Sequence, residues 1–216
     1  MDQSGFNDNL KTIKSNTFEI GIANFKKDYI INYSLRIFNI ITKNEITPYE
    51  TSSGLVLYNN AGKTIKSGLE LELNAQIFNE FSLDYNLSVG KYKFDSFMSI
   101  DDDYSNNFIP GIPRSHQNIK IKYNNENNFN LIVGLKRTGR MFADNSNKTQ
   151  IDGYNSITIK MSKNLKLFET NIIPFLSIDN LLNEKYFDNI RINAFGSRYY
   201  ESASGTNFVA GLKISL

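Results

Sequence analysis

The sequence predicts an all-β chain whose strands cross a membrane as one antiparallel sheet. Three observations carry that prediction. Apolar and polar residues alternate with period two over unusually long segments, the connections between those segments are short and long by turns, and the chain is rich in aromatic residues without any long apolar run. A strand sends successive side chains to opposite faces, so only alternate residues must be apolar for it to lie in lipid.

The alternation can be followed along the chain. Phe18, Ile20 and Ile22 alternate with Glu19, Gly21 and Ala23. Ile31, Tyr33, Leu35 and Ile37 alternate with Asn32, Ser34, Arg36 and Phe38. The clearest segment sets Leu69, Leu71, Leu73, Ala75 and Ile77 against Gly68, Glu70, Glu72, Asn74 and Gln76. Phe81, Leu83, Tyr85, Leu87 and Val89 follow, against Ser82, Asp84, Asn86, Ser88 and Gly90. Ile119, Ile121 and Tyr123 flank Lys120 and Lys122; Phe129, Leu131, Val133 and Leu135 flank Asn130, Ile132, Gly134 and Lys136. Ile157, Ile159 and Met161 alternate with Thr158, Lys160 and Ser162, and the chain closes with Phe208, Ala210, Leu212, Ile214 and Leu216 against Val209, Gly211, Lys213 and Ser215. A helix would scatter each set around its circumference. The segments amount to about nine strands, many of about ten residues, against about 5–6 for soluble strands and about 9–11 for membrane-crossing ones.

Tight turns are expected near Lys26–Asp28, Asn79–Glu80, Asn124–Asn127 and Asn164–Lys166. Long polar stretches fall near Thr42–Lys63, Asp95–Ile112, Arg140–Asp152 and Leu181–Gly205. Outer-membrane barrels pair short periplasmic turns with long extracellular loops, so this order predicts a C-terminus on the periplasmic side. Pro174 breaks the pattern inside the expected strand Asn171–Asn180, because proline has no N–H for the ladder; a bulge or a strand start would accommodate it.

Composition narrows the function. A formal net charge of +2 argues against a nucleic-acid partner, whose affinity needs a concentrated basic surface. The absence of cysteine excludes disulfides, thiolate catalysis and cysteine-held metals. No constellation points to an enzyme: Ser115 precedes the single histidine, His116, but neighbours on a strand face opposite ways. Asp101-Asp102-Asp103 offers hard oxygens without calcium-loop spacing and reads as a solvated loop tip, so neither a metal nor a cofactor is expected. Met1–Gly5 has neither the basic start nor the apolar core of a signal peptide, so the leader is expected to have been removed or the chain to be a piece of something longer.

Several motifs, in order, carry a resemblance. Asn9-Leu10-Lys11 with Ser15-Asn16-Thr17-Phe18-Glu19-Ile20-Gly21 is similar to "NPxLKPE…S…YELG", with Thr12 and Ile13 where that pattern has Pro and Glu. Asn60-Ala61-Gly62-Lys63 followed by Ser67-Gly68-Leu69-Glu70-Leu71-Glu72 is similar to "N-x-G…GxExE". Ile109-Pro110-Gly111-Ile112-Pro113-Arg114-Ser115-His116 is similar to "xPGxPRH" with a serine inserted. Ile178-Asp179-Asn180-Leu181-Leu182-Asn183-Glu184-Lys185-Tyr186 matches "xxNLxNKxY", and Arg198-Tyr199-Tyr200 with Gly205-Thr206-Asn207-Phe208-Val209-Ala210-Gly211-Leu212 is similar to a closing strand. Together they resemble the C-terminal part of TonB-dependent outer-membrane receptors, which usually end in Phe where this chain has Leu216.

The resemblance implies that residues 1–216 form the C-terminal portion of a plugged barrel of about 22 strands, without its plug domain and first strands. It implies active uptake, across the outer membrane of a Gram-negative bacterium, of a scarce nutrient such as a ferric siderophore, cobalamin, haem or an oligosaccharide. The plug, the inner-membrane TonB complex, outer-membrane lipid and lipopolysaccharide would be partners. Glu70, Glu72, Arg36, Lys120 and Lys136, with Lys122, Lys160 and Lys213, would face the plug or a wet lumen. Ligand contacts are expected from extracellular loops at Arg137, Arg140, Phe142, Arg191, Phe195, Arg198, Tyr199 and Tyr200. Arginine suits an anionic chelate and rings stack on flat ligands. The same rings suit a lipid-interface girdle, and the same arginines suit lipopolysaccharide phosphates. Two other architectures share the alternation: a self-contained small barrel acting as a passive pore or structural protein, and a soluble β-sandwich binding module that buries its apolar face.

Overall fold

The computed structural model describes residues 9–26, 30–99 and 102–215. The N-terminal Met1–Gly5, most of the turn expected at Lys26–Asp28, Asp101 and Leu216 lie outside the described residues. In chain order the strands are β1 (Lys14–Asn24), β2 (Ile31–Lys43), β3 (Ile46–Glu50), β4 (Val56–Asn60), β5 (Lys63–Gln76), β6 (Phe81–Ser96), β7 (Ser115–Asn124) and β8 (Phe129–Thr138). There follow β9 (Met141–Phe142), β10 (Gln150–Ile151), β11 (Tyr154–Lys163), β12 (Leu165–Leu167), β13 (Thr170–Asp179), β14 (Phe187–Ile190), β15 (Tyr200–Ser202) and β16 (Asn207–Ser215). One antiparallel sheet runs β1-β2-β5-β6-β7-β8-β11-β13, with β12 and β16 both on β13. Its nine long members match the strands read from the sequence, and the all-β antiparallel sheet is as expected.

The register joins the alternations into two continuous faces. Ile31, Ala75, Leu83, Ile121, Val133, Ile159, Ile178 and Phe208 are successive partners across eight strands. Five residues along, Gly21, Arg36, Glu70, Ser88, His116, Thr138 and Tyr154 form a polar row on the opposite face. Among the described residues nothing covers the apolar face: Phe18 is 68% exposed, Ile20 62%, Phe208 65% and Leu212 65%. A soluble sandwich would bury these residues under a second sheet. Here they remain open as a barrel's lipid face does, on a sheet that is not closed: β1 pairs only with β2, and β16 only with β13.

The turns are short and sit at one end. Phe81 N–H donates to Phe78 O (3.1 Å) around Asn79 and Glu80, and Asn128 N–H donates to Asn125 O (3.1 Å) with Asn128 left-handed at φ 57°. The turn expected at Asn164–Lys166 lies further on. Leu167 pairs with Thr170 around Phe168 (φ 56°) and Glu169, so Leu165–Leu167 is strand. This shift explains Pro174. The β11–β13 ladder stops at Ser162–Phe175 and resumes on β12 at Leu165–Ile172, while β16 pairs unbroken through Pro174–Leu212. The proline stands at a gap of two pairs in one ladder, with the register unchanged across it; its missing N–H falls in that gap, and neither the expected bulge nor the expected strand start is found. A chain of rings, Phe78–Phe81 (6.4 Å), Phe81–Tyr123 (4.7 Å) and Tyr123–Phe129 (6.4 Å), marks this turn end.

The long connections, residues 44–62, 97–114, 139–153 and 180–206, gather at the opposite end. The sequence reading treated them as polar stretches. Three of them carry their own hairpins, β3–β4, β9–β10 and β14–β15. The buried core also lies here: Phe94 (0% exposed), Ala61, Phe97 and Ile109 pack with Tyr92, Tyr104 and Ile112.

Candidate ligand site beneath the loops

The loops close over the polar face. The residues of that face at the loop end of the strands, Thr42, Thr64, Phe94 and Thr138, are buried, whereas outward-facing Lys43, Lys63 and Arg137 are not. Glu45, in the first loop, accepts hydrogen bonds from Thr64 Oγ1 (2.9 Å) and Lys66 Nζ (2.7 Å), both polar-face groups of β5. The first loop also meets the fourth, although β6, β7, β8 and β11 separate their strands in the sheet. Such a contact spans the chord of a curved sheet, above its polar face.

Asn193 is the hub. Its Nδ2 donates to Pro48 O (2.7 Å) and its Oδ1 accepts from Asn145 N–H (2.8 Å). Its own N–H donates to Ala143 O (2.9 Å), and its carbonyl accepts from Glu50 N–H (3.3 Å). Its φ of 53° is the left-handed conformation that asparagine adopts more readily than most residues. Asn147 ties the second loop to the third in the same way, through Phe108 N–H (2.7 Å) and Phe108 O (2.8 Å). Nothing in the sequence pattern marks either asparagine among its many neighbours.

Below this canopy the polar face divides by charge. Arg36 lies 3.1 Å from Glu70 and 3.8 Å from Glu19, Lys122 lies 2.5 Å from Asp84, and Glu72 shares a cleft with Ser34, Asn86 and His116. These half-exposed pairs contribute about 0–1 kcal/mol each. Among the described residues, Lys120, Lys136, Lys160 and Lys213, on β7, β8, β11 and β16, take part in no ion pair. Lys136 Nζ stands 5.6 Å from the centre of the Tyr154 ring, which stacks on Tyr186 at 3.9 Å. The sequence reading named neither tyrosine as a ligand contact. Tyr154 could have been found, since it shares the polar parity of Ser156 on β11; Tyr186 closes the motif Ile178–Tyr186, which gives no sign of its stacking partner.

The expected loop contacts are dispersed. Arg191 is held by Glu201 (3.2 Å) and Arg198 by Glu50 (2.7 Å). Tyr200 stacks on Phe187 (4.4 Å) with Tyr199 beside it, and Phe195 sits in the short 3-10 turn Phe195–Ser197, half exposed. Phe142 lies 6.0 Å from Phe108. Arg137 is not in a loop. It belongs to β8, paired with Gln117 and Asn155 on the outward face of Leu135. Arg140 is exposed beyond the end of β8. Ser115 and His116 are successive residues of β7, and His116 Nδ1 contacts Thr138 Oγ1 at 3.4 Å. Asp102 and Asp103 bond to Tyr104 Oη (3.0 Å) and Ser105 N–H (2.8 Å).

Residues 1–181 match the family described as TonB dependent receptor-like, beta-barrel. The ferrioxamine receptor of Yersinia enterocolitica is 23% identical over 180 residues, 82% of this chain and 24% of that receptor. The siderophore receptor PiuA of Acinetobacter baumannii superposes with a TM-score of 0.72 at 20% identity, over 93% of this chain and 28% of that one. The ferric yersiniabactin uptake receptor FyuA of Yersinia pestis gives a TM-score of 0.71 at 20% identity, over 94% and 29%. At these identities the structural likeness shows the fold. The chain spans about a quarter of the length of the ferrioxamine receptor.

Proposed function

From membership of the TonB-dependent receptor β-barrel family, to which this chain belongs, we propose that it is the C-terminal barrel portion of an outer-membrane receptor for active uptake of an anionic metal chelate, a ferric siderophore foremost. In this reading residues 1–216 build part of the wall and the outer gate. The plug, the TonB contact and the remaining strands come from elsewhere in the parent protein. The apolar face meets outer-membrane lipid and the polar face meets the plug or water.

The observation that carries the reading is the loop canopy over a polar face whose β7–β16 half holds unpaired cations. A chelate passing under the loops meets Lys136 beside the stacked Tyr154 and Tyr186. The exposed ammonium of Lys136 attracts the chelate's oxygens, and the rings offer flat apolar surface. Arg191 and Arg198 reach the ligand only by leaving Glu201 and Glu50, which makes them gate residues in this reading.

The test is uptake of radioactive iron as ferric ferrioxamine, ferric yersiniabactin and ferric citrate by iron-starved cells carrying the full-length receptor. Lys136→Ala and Tyr154→Ala should each lower uptake of one of these chelates about tenfold, through loss of a charge-assisted contact and of a stacking ring respectively, with the outer-membrane level unchanged. Uptake of all three at the level of cells lacking the receptor would remove the chelate assignment. A membrane species near 24.7 kDa in place of the large receptor would favour a self-contained small barrel.

A further inference from the structure

Residues 178–186 run from the end of β13 into the fourth loop and finish on the ring that stacks on Tyr154. Tyr154 is fixed by β11 and Lys136 by β8, so within that group only Tyr186 takes its place from a loop. Residues 181–185 are exposed, so apolar packing does not decide where the loop delivers the ring. A set of hydrogen bonds centred on Asn180 holds the segment instead.

Asn180 is 4% exposed. Its Nδ2 donates to Glu184 O (2.9 Å) and to Ser204 O (3.1 Å), and its Oδ1 accepts from Glu184 N–H (2.9 Å). Both amide donors and the amide oxygen are therefore used, as burial demands. Its carbonyl accepts from Asn183 N–H (2.9 Å) and from Thr206 Oγ1 (2.9 Å). Its φ of 51° is left-handed, which asparagine tolerates better than most residues. Asn183, at φ 53°, completes the turn: its Oδ1 accepts from Thr206 N–H (3.3 Å), and a Cβ on Gly205 would stand 2.6 Å from that oxygen.

The turn thus clamps the start of the fourth loop to its end. From it the chain reaches Tyr186, whose carbonyl accepts from Ala203 N–H (3.0 Å). The Tyr186 and Tyr154 rings lie 3.9 Å apart with 11° between their planes, and Lys136 Nζ stands 5.6 Å from the centre of the Tyr154 ring. We propose that Asn180 is a positioning residue for ligand capture: its side chain sets the turn that brings Tyr186 onto Tyr154 beside Lys136, and so completes the two-ring surface that a chelate meets. The inference rests on the chelate-uptake reading above. An aspartate at this position would set a charged oxygen against the carbonyls of Glu184 and Ser204 and leave both without a donor. A glycine would keep the left-handed backbone and lose the three side-chain bonds.

The experiment uses the full-length receptor in the outer membrane, with two readouts. Photo-oxidation with a ruthenium complex and persulfate joins neighbouring tyrosines, and mass spectrometry of the joined peptides reads the 154–186 dityrosine. Initial rates of radioactive iron uptake, as whichever of ferric ferrioxamine, ferric yersiniabactin and ferric citrate the wild type accepts, give KM and Vmax. Asn180→Gly and Asn180→Asp should each lose the dityrosine and raise KM about three- to tenfold at unchanged Vmax, as Tyr186→Ala does, the loss of one stacking partner. In a Tyr186→Ala background the Asn180 substitutions should raise KM no further, because they act through that ring. Wild-type dityrosine yield and KM in both Asn180 variants overturn the inference, as do KM effects that multiply in the double variants. If the Asn180 variants do not assemble, Asn183→Ala and Thr206→Val, which each remove one tie of the same turn, should show the same losses in part; wild-type values in both overturn it too. A wild type that accepts none of the three chelates removes the uptake reading, while the dityrosine yield still decides whether Asn180 places Tyr186.

Discussion

Asn193 shows how one side chain can set the position of three loops. Its four polar groups reach Pro48, Glu50, Ala143 and Asn145, and its left-handed backbone is one that alanine adopts reluctantly. Asn193→Ala should cost the canopy about 1–3 kcal/mol, the range for polar groups left unpaired, and should speed hydrogen exchange at the Asn145 amide while leaving the β7–β8 ladder protected. Asp144 is a second local lock. Burial disfavours its charge, but hydrogen bonds from Ser146, from Thr149 N–H (2.9 Å) and from Lys148 N–H (3.2 Å) outweigh that and hold its carboxyl below the usual range. A depressed folded-state value means that the third loop gains stability above the ordinary carboxylate range and loses it as pH falls through the lowered value. Exchange at Thr149 should therefore accelerate at acid pH below that range in the wild type, and Asp144→Asn should flatten the profile. Neither lock was legible in the sequence. An asparagine in a polar loop looks like any other until its partners, up to 145 residues away, are placed.

At the scale of the strand, almost everything was legible. Period two in Leu69–Ile77 fixes which residues share a face, and a one-residue slip would carry all of them to the wrong side. Pairing Leu71 with Leu35 and Leu87, and Glu70 with Arg36 and Ser88, follows from that rule once neighbouring strands are known. Gly68 opposite Gly90 leaves room for Phe38 to stack near Tyr92 (6.4 Å); a Cβ on Gly68 would stand 2.8 Å from the Phe38 ring. Two details escaped. The β12–β13 turn is displaced because Phe168 takes a left-handed conformation that no preference for phenylalanine foretells. Arg137 was read among the loop contacts because the alternation was followed only to Lys136, whereas β8 runs on to Thr138. The face assignment gives an asymmetric expectation. Leu71→Lys, in the middle of the outward face, should destabilise the receptor by about 2–4 kcal/mol, whereas Glu72→Lys beside it should cost well under half of that. Urea unfolding of the receptor in lipid vesicles separates the two.

The whole molecule has an unusual distribution of order. A soluble domain of this size keeps its core between layers, but here, among the described residues, the sheet has an exposed apolar face and a polar face. The buried side chains, Phe94, Ala61 and Ala143 among them, lie in and under the loops. Alternation predicts this division, since residues alternate wherever both faces are already committed. It cannot predict how four loops fold together, because contacts such as Asn193 with Pro48 depend on the curvature of the sheet. The most direct measurement is site-directed spin labelling at Leu71→Cys and Glu72→Cys in the full-length receptor, on a cysteine-free background in lipid vesicles, with dioxygen and a soluble nickel chelate as relaxing agents. The account predicts a label at 71 relaxed by dioxygen and shielded from nickel, and one at 72 with the opposite preference. Equal nickel accessibility at both positions, or the reverse order, would contradict a sheet whose apolar face meets lipid.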